Sequence, residues 1–243
     1  MQLSGKRALV TGGARRVGRA LAVGLARAGC DVAVHYHGSS GEAEQTARAI
    51  AEQGRRAELV RADLRDPRAA QALAGTAARA LGGLEIVVNS AAIMTQQRVE
   101  AVTPESWDET LDLNLRAVFF VSQGAIAHLR PARGRIINIA DVAAFEPWPQ
   151  YVPHCVSKAG VVMLTKGLAR ALAPEITVNA VAPGAVLVPE TWSKEAREHL
   201  VETTPLKRLG SPEDVVRAVC YLLEGGDYVT GSTLVVDGGR LLR

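Results

Sequence analysis

The chain of 243 residues is 48% hydrophobic and has 28 basic against 25 acidic residues, a formal net charge of +3. Such a balanced charge gives no field that favours nucleic acid or a membrane surface as a partner. Three cysteines, Cys30, Cys155 and Cys220, are far apart and odd in number, so we expect no disulfide framework, no metal site and a reducing, cytoplasmic setting. We also expect no signal peptide and no membrane span.

Short apolar runs alternate with longer amphipathic stretches along the chain. The apolar runs, bounded by Gly, Asp or Pro, predict seven strands at 7–11, 31–35, 57–61, 85–89, 134–139, 177–181 and 233–236. The amphipathic stretches predict helices at about 17–28, 41–53, 68–81, 105–114, 116–129, 154–172 and 212–223. Alternation of this kind predicts one α/β domain over 1–243, a doubly wound parallel sheet with helices on both faces. The run 185–205 is predicted to be an irregular insertion that covers the substrate.

A glycine-rich turn at 11–18 follows the first strand and opens the first helix. Glycine lets the backbone turn tightly and approach a pyrophosphate at the positive end of that helix. Taken alone, such a turn is also what a plain strand–helix loop looks like, but its place after the first strand of an alternating chain favours a dinucleotide. The expected cofactor contacts here are Gly12, Arg15, Arg16, Val17 and Gly18.

The end of the second strand lacks the acid that NAD-selective sites place there for the ribose hydroxyls. The residues present instead, together with Arg15, can hydrogen-bond a 2′-phosphate. The alternative is a polar surface turn, and the preceding glycine-rich loop favours NADP(H). The expected contacts are His35, Tyr36, His37 and Ser39.

Three further strand ends carry residues suited to a cofactor. An acid that can meet an adenine amino group ends the third strand, small residues follow the fourth, and a Pro-Gly turn follows the sixth. Each alone is ordinary loop chemistry, but ligands of such sheets bind beyond the carboxyl ends of the strands. The candidate contacts are Asp63, Leu64, Asn89, Ser90, Ala91, Pro183, Gly184 and Val186.

Over its whole length the chain resembles the short-chain dehydrogenase/reductase family. The turn at 11–18 is similar to the family's Thr-Gly-x-x-x-Gly-x-Gly loop, 89–92 to its Asn-Asn-Ala-Gly motif, and 205–215 and 230–239 are typical of it. The resemblance implies a Rossmann fold, NADP-dependent oxidoreductase activity, a homotetramer, and catalytic positions at Asn114, Asp141, His154 and Lys158.

Within that family the chain is most similar to the pteridine reductases. Their loop has arginine where Arg16 stands, their second strand ends in a His-Tyr-His-x-Ser segment like 35–39, and they have an aspartate where Asp141 stands. The resemblance implies NADPH and a small carbonyl or imine substrate, pterin included. Two positions differ: Gly38 replaces an arginine of the phosphate segment, and Met94 replaces the aromatic that stacks on a pterin.

The family's catalytic Tyr-x-x-x-Lys becomes His154 and Lys158, and the thirteen-residue step from Asp141 keeps the family spacing. Residues four apart share a helix face. A lysine cation one turn away disfavours the imidazolium, whereas a carboxylate facing His154 favours it and makes it a competent proton donor. Tyr151, just before the helix, is a third candidate for the acid.

Two functions remain open on these residues. One is an NADPH-dependent reductase with His154 as its acid, and the other is a non-catalytic NADP(H)-binding sensor or scaffold in which the chemistry is lost. DNA binding through Arg15–Arg16 and Arg55–Arg56 has little support, because the phosphate loop and a solvated helix end explain those residues.

Overall fold

The computed structural model describes residues 1–188 and 192–242. Within them, seven strands form one sheet in the order β3-β2-β1-β4-β5-β6-β7, and every neighbouring pair is parallel. This is the predicted doubly wound sheet. The strands are β1 (Arg7–Val10), β2 (Asp31–Tyr36), β3 (Ala57–Arg61), β4 (Ile86–Asn89), β5 (Arg135–Ile139), β6 (Thr177–Pro183) and β7 (Thr233–Val236).

Helices cover both faces of the sheet. They are α1 (Arg16–Arg27), α2 (Ser40–Ala51), α3 (Pro67–Leu81), α4 (Pro104–Leu111), α5 (Ala117–Leu129), α6 (Val152–Leu172), α7 (Lys194–Thr203) and α8 (Pro212–Glu224). One apolar core lies between the sheet and α1, α2 and α8, and another between the sheet and α3, α5 and α6. Since both faces are covered, the strands are nearly continuous apolar runs, as parallel sheets require.

Capping residues begin two of these helices. Thr103 and Ser106 exchange hydrogen bonds at the start of α4, and Ser211 and Asp214 do the same at the start of α8. Such reciprocal bonds satisfy backbone N–H groups that have no partner inside the helix. They fix where the chain re-enters the layers after passing the carboxyl edge of the sheet.

The run 185–205 was predicted to be irregular, and this prediction is wrong. Its second half forms α7, whose N-cap Ser193 accepts a hydrogen bond from the backbone N–H of Ala196. The strongly polar composition of α7 leaves only Leu200 buried, so the apolar periodicity that indicates a helix is weak here. Residues 189–191 of the run lie outside the described residues.

A π-helical turn, Asp112–Arg116, joins α4 to α5 where two separate α-helices were predicted. Turns of this kind are rare and occur frequently at functional sites. The widened turn holds Asn114, which is completely buried, against the segment that follows β4. Among residues 1–188 and 192–242, no helix is long and apolar enough to cross a membrane.

Candidate active site

The glycine-rich loop after β1 packs tightly on its neighbours because two of its residues have no side chain. Gly12 has φ +64°, and a Cβ on it would lie 2.9 Å from Cα of Ala91. A Cβ on Gly18 would lie 2.1 Å from the carbonyl oxygen of Gly12. The first turn of α1 has no acidic residue, so its positive end is open to an anion. This cradle fits the phosphates of a dinucleotide.

His35 has a different role from the one predicted. Its side chain is buried, its Nδ1 accepts a hydrogen bond of 3.1 Å from the N–H of Gly12, and its Nε2 donates to the carbonyl of Ala62 at 3.1 Å. Both nitrogens are therefore engaged, which corrects the expectation that His35 binds a 2′-phosphate. Burial lowers the pKa of His35 to about 4, so the neutral ring holds the phosphate loop in place.

The loops after β1 and β4 are tied together by one hydroxyl. Thr11 Oγ1 accepts hydrogen bonds from the N–H of Ser90 at 2.9 Å and of Ala91 at 3.1 Å. The backbone after β4 is thus drawn against the phosphate loop. Ala91 lies against Gly12, and the cofactor contacts of Ser90 and Ala91 stay a prediction.

Asn89 also differs from its predicted role, because its side chain turns into the protein. Its Nδ2 donates to Ser122 Oγ at 3.1 Å and to Asn138 Oδ1 at 2.9 Å, and Asn138 in turn donates to Thr165 Oγ1 at 2.9 Å. The chain of polar groups links β4 and β5 to α5 and α6. This hydrogen-bonded network has a structural role, because it fixes the register of β4 and β5, the strands beside the predicted nicotinamide position.

A small cavity of about 150 Å³ lies beyond the end of β2, at the start of α2. It is lined by Tyr36, His37, Gly38, Ser40 and Arg61. Arg61, at the end of β3, donates from Nε to the carbonyl of His37 at 3.1 Å. The guanidinium of Arg61 therefore supplies a positive charge to the segment in which Gly38 stands where the pteridine reductases have an arginine. Of the other residues predicted here, Ser39 directly precedes α2 and makes no capping hydrogen bond with its side chain. The guanidinium NH1 of Arg15 lies 3.9 Å from Oε1 of Glu42.

After β3, Asp63 is held by a neighbouring cation. Arg65 donates from Nε to Oδ1 at 3.0 Å and from NH2 to Oδ2 at 2.9 Å, and His37 Nε2 lies 3.8 Å from Oδ2. These hydrogen bonds to Arg65 hold the pKa of Asp63 below its usual value. Asp63 remains partly exposed as an acceptor, whereas the side chain of Leu64 is buried in the core, so only the backbone of Leu64 is available to a cofactor.

The Pro-Gly turn after β6 is compact. Gly184 donates its N–H to the carbonyl of Val236 at 2.9 Å, and a Cβ on Gly184 would lie 2.9 Å from Cα of Asp237. Val186 donates its N–H back to the carbonyl of Gly184 at 2.9 Å. The chain leaves β6 at Pro183 in a tight bend that turns it over the carboxyl edge of the sheet, as predicted for the nicotinamide end of the site.

Lys158 is buried on α6, and its Nζ donates to the carbonyl of Ile139 at 2.8 Å. Burial lowers the pKa of Lys158 to about 8, and the charge of Asp141 partly offsets that shift. A buried ammonium retains two further donor hydrogens for a ligand. Lys158 and His154 are one turn apart on the same face of α6, as the spacing predicted.

His154 is held from one side by a clamp that includes a backbone carbonyl. Asn114 exchanges two hydrogen bonds of 2.9 Å with the backbone of Ile93 and donates a third, of 3.1 Å, to Ser157 Oγ. The carbonyl of Ile93 lies 3.2 Å from His154 Nδ1. Asn114 Nδ2 lies 3.4 Å from the same nitrogen. Because a carbonyl oxygen accepts and an amide nitrogen donates, either tautomer of the ring finds a partner at Nδ1.

The other ring nitrogen of His154 faces a carboxylate. Nε2 lies 3.7 Å from Asp141 Oδ2, and it is buried with no hydrogen-bond partner among the described residues. The Nε2 edge of the imidazole therefore faces a carboxylate, with no other polar partner among the described residues.

Comparison with known proteins identifies the family. The family described as enoyl-(acyl carrier protein) reductase matches residues 12–240. A 3beta-hydroxysteroid dehydrogenase of Eggerthella lenta is 39% identical, over 99% of this chain and 95% of that protein. The chain belongs to the short-chain dehydrogenase/reductase family. It is therefore a nicotinamide-dependent oxidoreductase with the single-domain Rossmann fold of that family.

Other members of the short-chain dehydrogenase/reductase family agree over the whole chain. A 3-oxoacyl-acyl-carrier-protein reductase of Staphylococcus aureus is 36% identical over 98% of both chains. The structure of an angucycline C-6 ketoreductase with bound NADP superposes with a TM-score of 0.93 at 34% identity, covering 100% of this chain and 98% of that one. These names support the broad family and do not single out its pteridine-reductase branch.

Sequence reasoning missed several residues of this short-chain dehydrogenase/reductase site. Ile93 acts through its backbone, which no side-chain pattern reveals. Ser157 bridges Asn114 to the backbone of α6, and only its place between His154 and Lys158 signals it. The indole of Trp148 is stacked parallel to the imidazole of His154, with ring centroids 6.5 Å apart. An aromatic in the loop before α6 was visible in the sequence, but the contact was not.

Proposed function

We propose that this short-chain dehydrogenase/reductase is an NADPH-dependent reductase of a carbonyl or imine substrate, with His154 as the proton donor. The observation that carries the proposal is the pair formed by His154 Nε2 and Asp141 Oδ2, 3.7 Å apart. Nε2 has no hydrogen-bond partner among residues 1–188 and 192–242, which is the state expected of a group that awaits a substrate oxygen or nitrogen.

The side chains of the site have separate roles in the proposed reaction. A reduced nicotinamide, when bound, supplies hydride to the electrophilic carbon of the substrate. His154 donates a proton from Nε2 to the substrate oxygen or nitrogen, and the carboxylate of Asp141, 3.7 Å from Nε2, orients the ring. Asn114 orients the imidazole through Ile93, and Lys158 holds the ribose while its positive charge stabilises the developing anion.

Preference for NADPH over NADH is part of the proposal. It is supported by the missing acid after β2 and by the cavity in which Arg61, His37 and Ser40 surround a space of about 150 Å³. Guanidinium is the group that best matches a phosphate monoester. The relative whose structure carries bound NADP belongs to the same family. The pteridine-reductase likeness of 35–39 supports the cofactor, while Met94 gives a pterin no stacking face.

The competing function is that of a sensor or scaffold that binds NADP(H) without turnover. NADPH oxidation with a panel of ketones, quinones and dihydropterins separates the two. A reductase turns over at least one of them, and His154→Ala lowers its rate by roughly 10²–10⁴-fold without loss of NADPH binding. The matched control is His128→Ala, on the remote part of α5. Bound NADPH with no turnover of any ketone, quinone or dihydropterin across pH would favour the sensor.

We further infer a homotetramer in the cytoplasm. Phe119 on α5 and Val156 and Met163 on α6 are exposed apolar side chains, and family resemblance pairs these two helices across a two-fold axis. Exposed apolar helix faces of this kind mark contacts between subunits. Light scattering at micromolar concentration is expected to give four times the chain mass, and a monomer mass would exclude the pairing.

A further inference from the structure

The imidazole of His154 is held at its edges by contacts that leave its plane free to tilt. The ring rotates about the Cβ–Cγ bond, and a torsion of this sp³–sp² kind has broad minima rather than sharp staggered ones. Nδ1 lies 3.2 Å from the carbonyl oxygen of Ile93, which selects the edge of the ring that faces that carbonyl. Nε2 lies 3.7 Å from Asp141 Oδ2, which is longer than a hydrogen bond. A further group is needed to fix the plane of the ring.

The indole of Trp148 lies against the face of that ring. The two planes are 9° apart and the ring centroids are 6.5 Å apart, within the range in which flat rings attract one another in offset stacks. Rotation of the imidazole about Cβ–Cγ would tilt its plane away from the indole and lose this contact. His154 is buried whereas Trp148 is partly exposed, so the indole forms the outer layer of the pair.

The indole is itself held by its own loop. Tyr151 packs against it edge to face, with ring centroids 6.0 Å apart and an interplanar angle of 77°. The backbone N–H of Tyr151 also donates to the carbonyl of Trp148 at 2.9 Å. Pro147 and Pro149 flank the tryptophan, and prolines on both sides restrict its backbone.

Two contacts from distant parts of the chain hold the loop that carries Trp148. The carbonyl of Gln150 accepts a hydrogen bond of 2.8 Å from the N–H of Gln97, in the segment after β4. On the other side of the tryptophan, Glu146 Oε2 lies 3.6 Å from Nε of Arg240, near the end of the chain. The loop is therefore braced on both sides of the indole, which gives the imidazole a fixed surface to pack on.

We propose that Trp148 is a positioning residue, whose indole fixes the plane of the His154 imidazole and so directs Nε2 at the substrate. The inference rests on the proposed function, in which Nε2 donates the proton, and adds a residue to it. Trp148 acts only through His154. A reacting group must be held close to its productive direction by side chains that are themselves locked. An imidazole free to tilt would be aligned for less of the time, which lowers kcat and leaves cofactor binding unchanged.

Two substitutions separate the flat face of the indole from its bulk. Trp148→Phe keeps an aromatic ring, whereas Trp148→Leu keeps an apolar side chain without one. Steady-state reduction of 9,10-phenanthrenequinone, a planar diketone, by NADPH measures kcat and KM separately. We expect Trp148→Leu to lower kcat about tenfold, within the loss of up to roughly 10²-fold that a misplaced reacting group causes. The KM and the Kd for NADPH should change by less than about twofold, since only the step that uses His154 is affected.

Trp148→Phe is expected to keep most of the wild-type kcat, because its ring can still lie against the imidazole. The matched control is Trp107→Leu, at an exposed position on α4, which should leave kcat unchanged. A loss confined to KM would mean that the indole contacts the substrate instead, and would overturn the proposal. Equal losses of kcat in Trp148→Phe and Trp148→Leu would overturn it as well.

Crystal structures of the wild type and both variants test the positioning without any turnover. In Trp148→Phe the imidazole should keep one plane, with Nε2 at its present distance from Asp141 Oδ2. In Trp148→Leu the ring should occupy more than one plane. A single, unchanged imidazole plane in Trp148→Leu would overturn the proposal.

Failure of this inference is distinguishable from failure of the proposed function. A wild type that reduces no carbonyl compound, with the imidazole plane lost only in Trp148→Leu, contradicts the reductase and supports the positioning by Trp148. A rate that falls in His154→Ala but is unchanged in Trp148→Leu supports the reductase and overturns the positioning.

Discussion

The Nε2 atom of His154 lies 3.7 Å from Oδ2 of Asp141, while Asp141 Oδ1 accepts a hydrogen bond of 2.9 Å from the N–H of Ala143. The carboxylate is thus fixed by its own loop and presents its second oxygen to the imidazole. In the proposed reductase, this Asp–His pair takes the place of the Ser–Tyr pair that the family resemblance implies.

Asp141→Asn tests this pairing. The amide keeps the size of the side chain and removes the negative charge that faces His154 Nε2. We expect the rate of single-turnover NADPH oxidation to fall while the Kd for NADPH stays unchanged. A rate equal to that of the wild type would contradict the pairing.

Lys158→Met is expected to stabilise the protein and weaken its cofactor site. Burial lowers the pKa of Lys158 from 10.5 to about 8, which corresponds to a penalty of roughly 3 kcal/mol below pH 8. The variant also loses the hydrogen bond from Nζ to the carbonyl of Ile139, which lowers its stability by about 1 kcal/mol. We expect a net gain of roughly 2 kcal/mol near neutral pH.

The size of that stabilisation by Lys158→Met falls as pH rises. Between about pH 8 and about pH 10.5 the folded protein gives up the Lys158 proton first, so wild-type stability rises with pH and the advantage of Lys158→Met shrinks. Thermal unfolding of both proteins near pH 7 and near pH 9.5 measures this, with the exposed Lys166→Met as control. A variant less stable than wild type near pH 7 would contradict the account.

His35→Gln tests the lock on the phosphate loop. Burial lowers the pKa of His35 to about 4, so the unfolded chain takes up a proton between about pH 6.5 and about pH 4 before the folded protein does. Stability from the neutral ring is complete above pH 6.5 and falls by roughly 2–3 kcal/mol as pH drops through that window. Glutamine does not titrate, so the free energy of unfolding of His35→Gln should lack this fall between about pH 6.5 and about pH 4. Chemical denaturation at a series of pH values measures it. An identical pH dependence in the variant would argue against the buried neutral ring.

Arg61→Met tests the cavity beyond β2. Its guanidinium lines the space beside His37 and Ser40, so removing the charge should weaken NADPH binding about tenfold, as a lost charge-assisted hydrogen bond predicts. NADH has no 2′-phosphate, and its affinity should not change. Isothermal titration with both cofactors measures this, and Arg56→Met, just before β3, is the control. Equal losses for the two cofactors would exclude a contact with the 2′-phosphate.

The sheet could be predicted because its strands are apolar, β-branched and interrupted by turn residues at regular intervals. The edge of the sheet proposed to bind the cofactor could be predicted, because the carboxyl ends of parallel strands all lie at the same edge. Periodicity could not find α7, because that helix buries almost nothing, nor the π-helical turn at Asn114, because one extra residue per turn leaves the apolar pattern nearly unchanged.

The direction of individual side chains was the other feature that could not be predicted from the sequence. His35 and Asn89 end strands, where a polar residue suggests solvent or ligand, yet both turn inward to bind backbone or neighbouring amides. Which face a terminal strand residue chooses depends on partners from distant segments, such as Ala62 and Asn138. The stacking of Trp148 on His154 depends in the same way on how the loop before α6 folds back.

The most direct test is single-turnover ketone reduction by the wild type, His154→Ala and His154→Tyr, each saturated with NADPH. If His154 is the acid, His154→Ala loses roughly 10²–10⁴-fold in rate, and His154→Tyr keeps a rate well above that of His154→Ala because its hydroxyl also donates a proton. A His154→Ala variant with the wild-type rate would contradict the account, as would an inactive wild type that becomes active only as His154→Tyr.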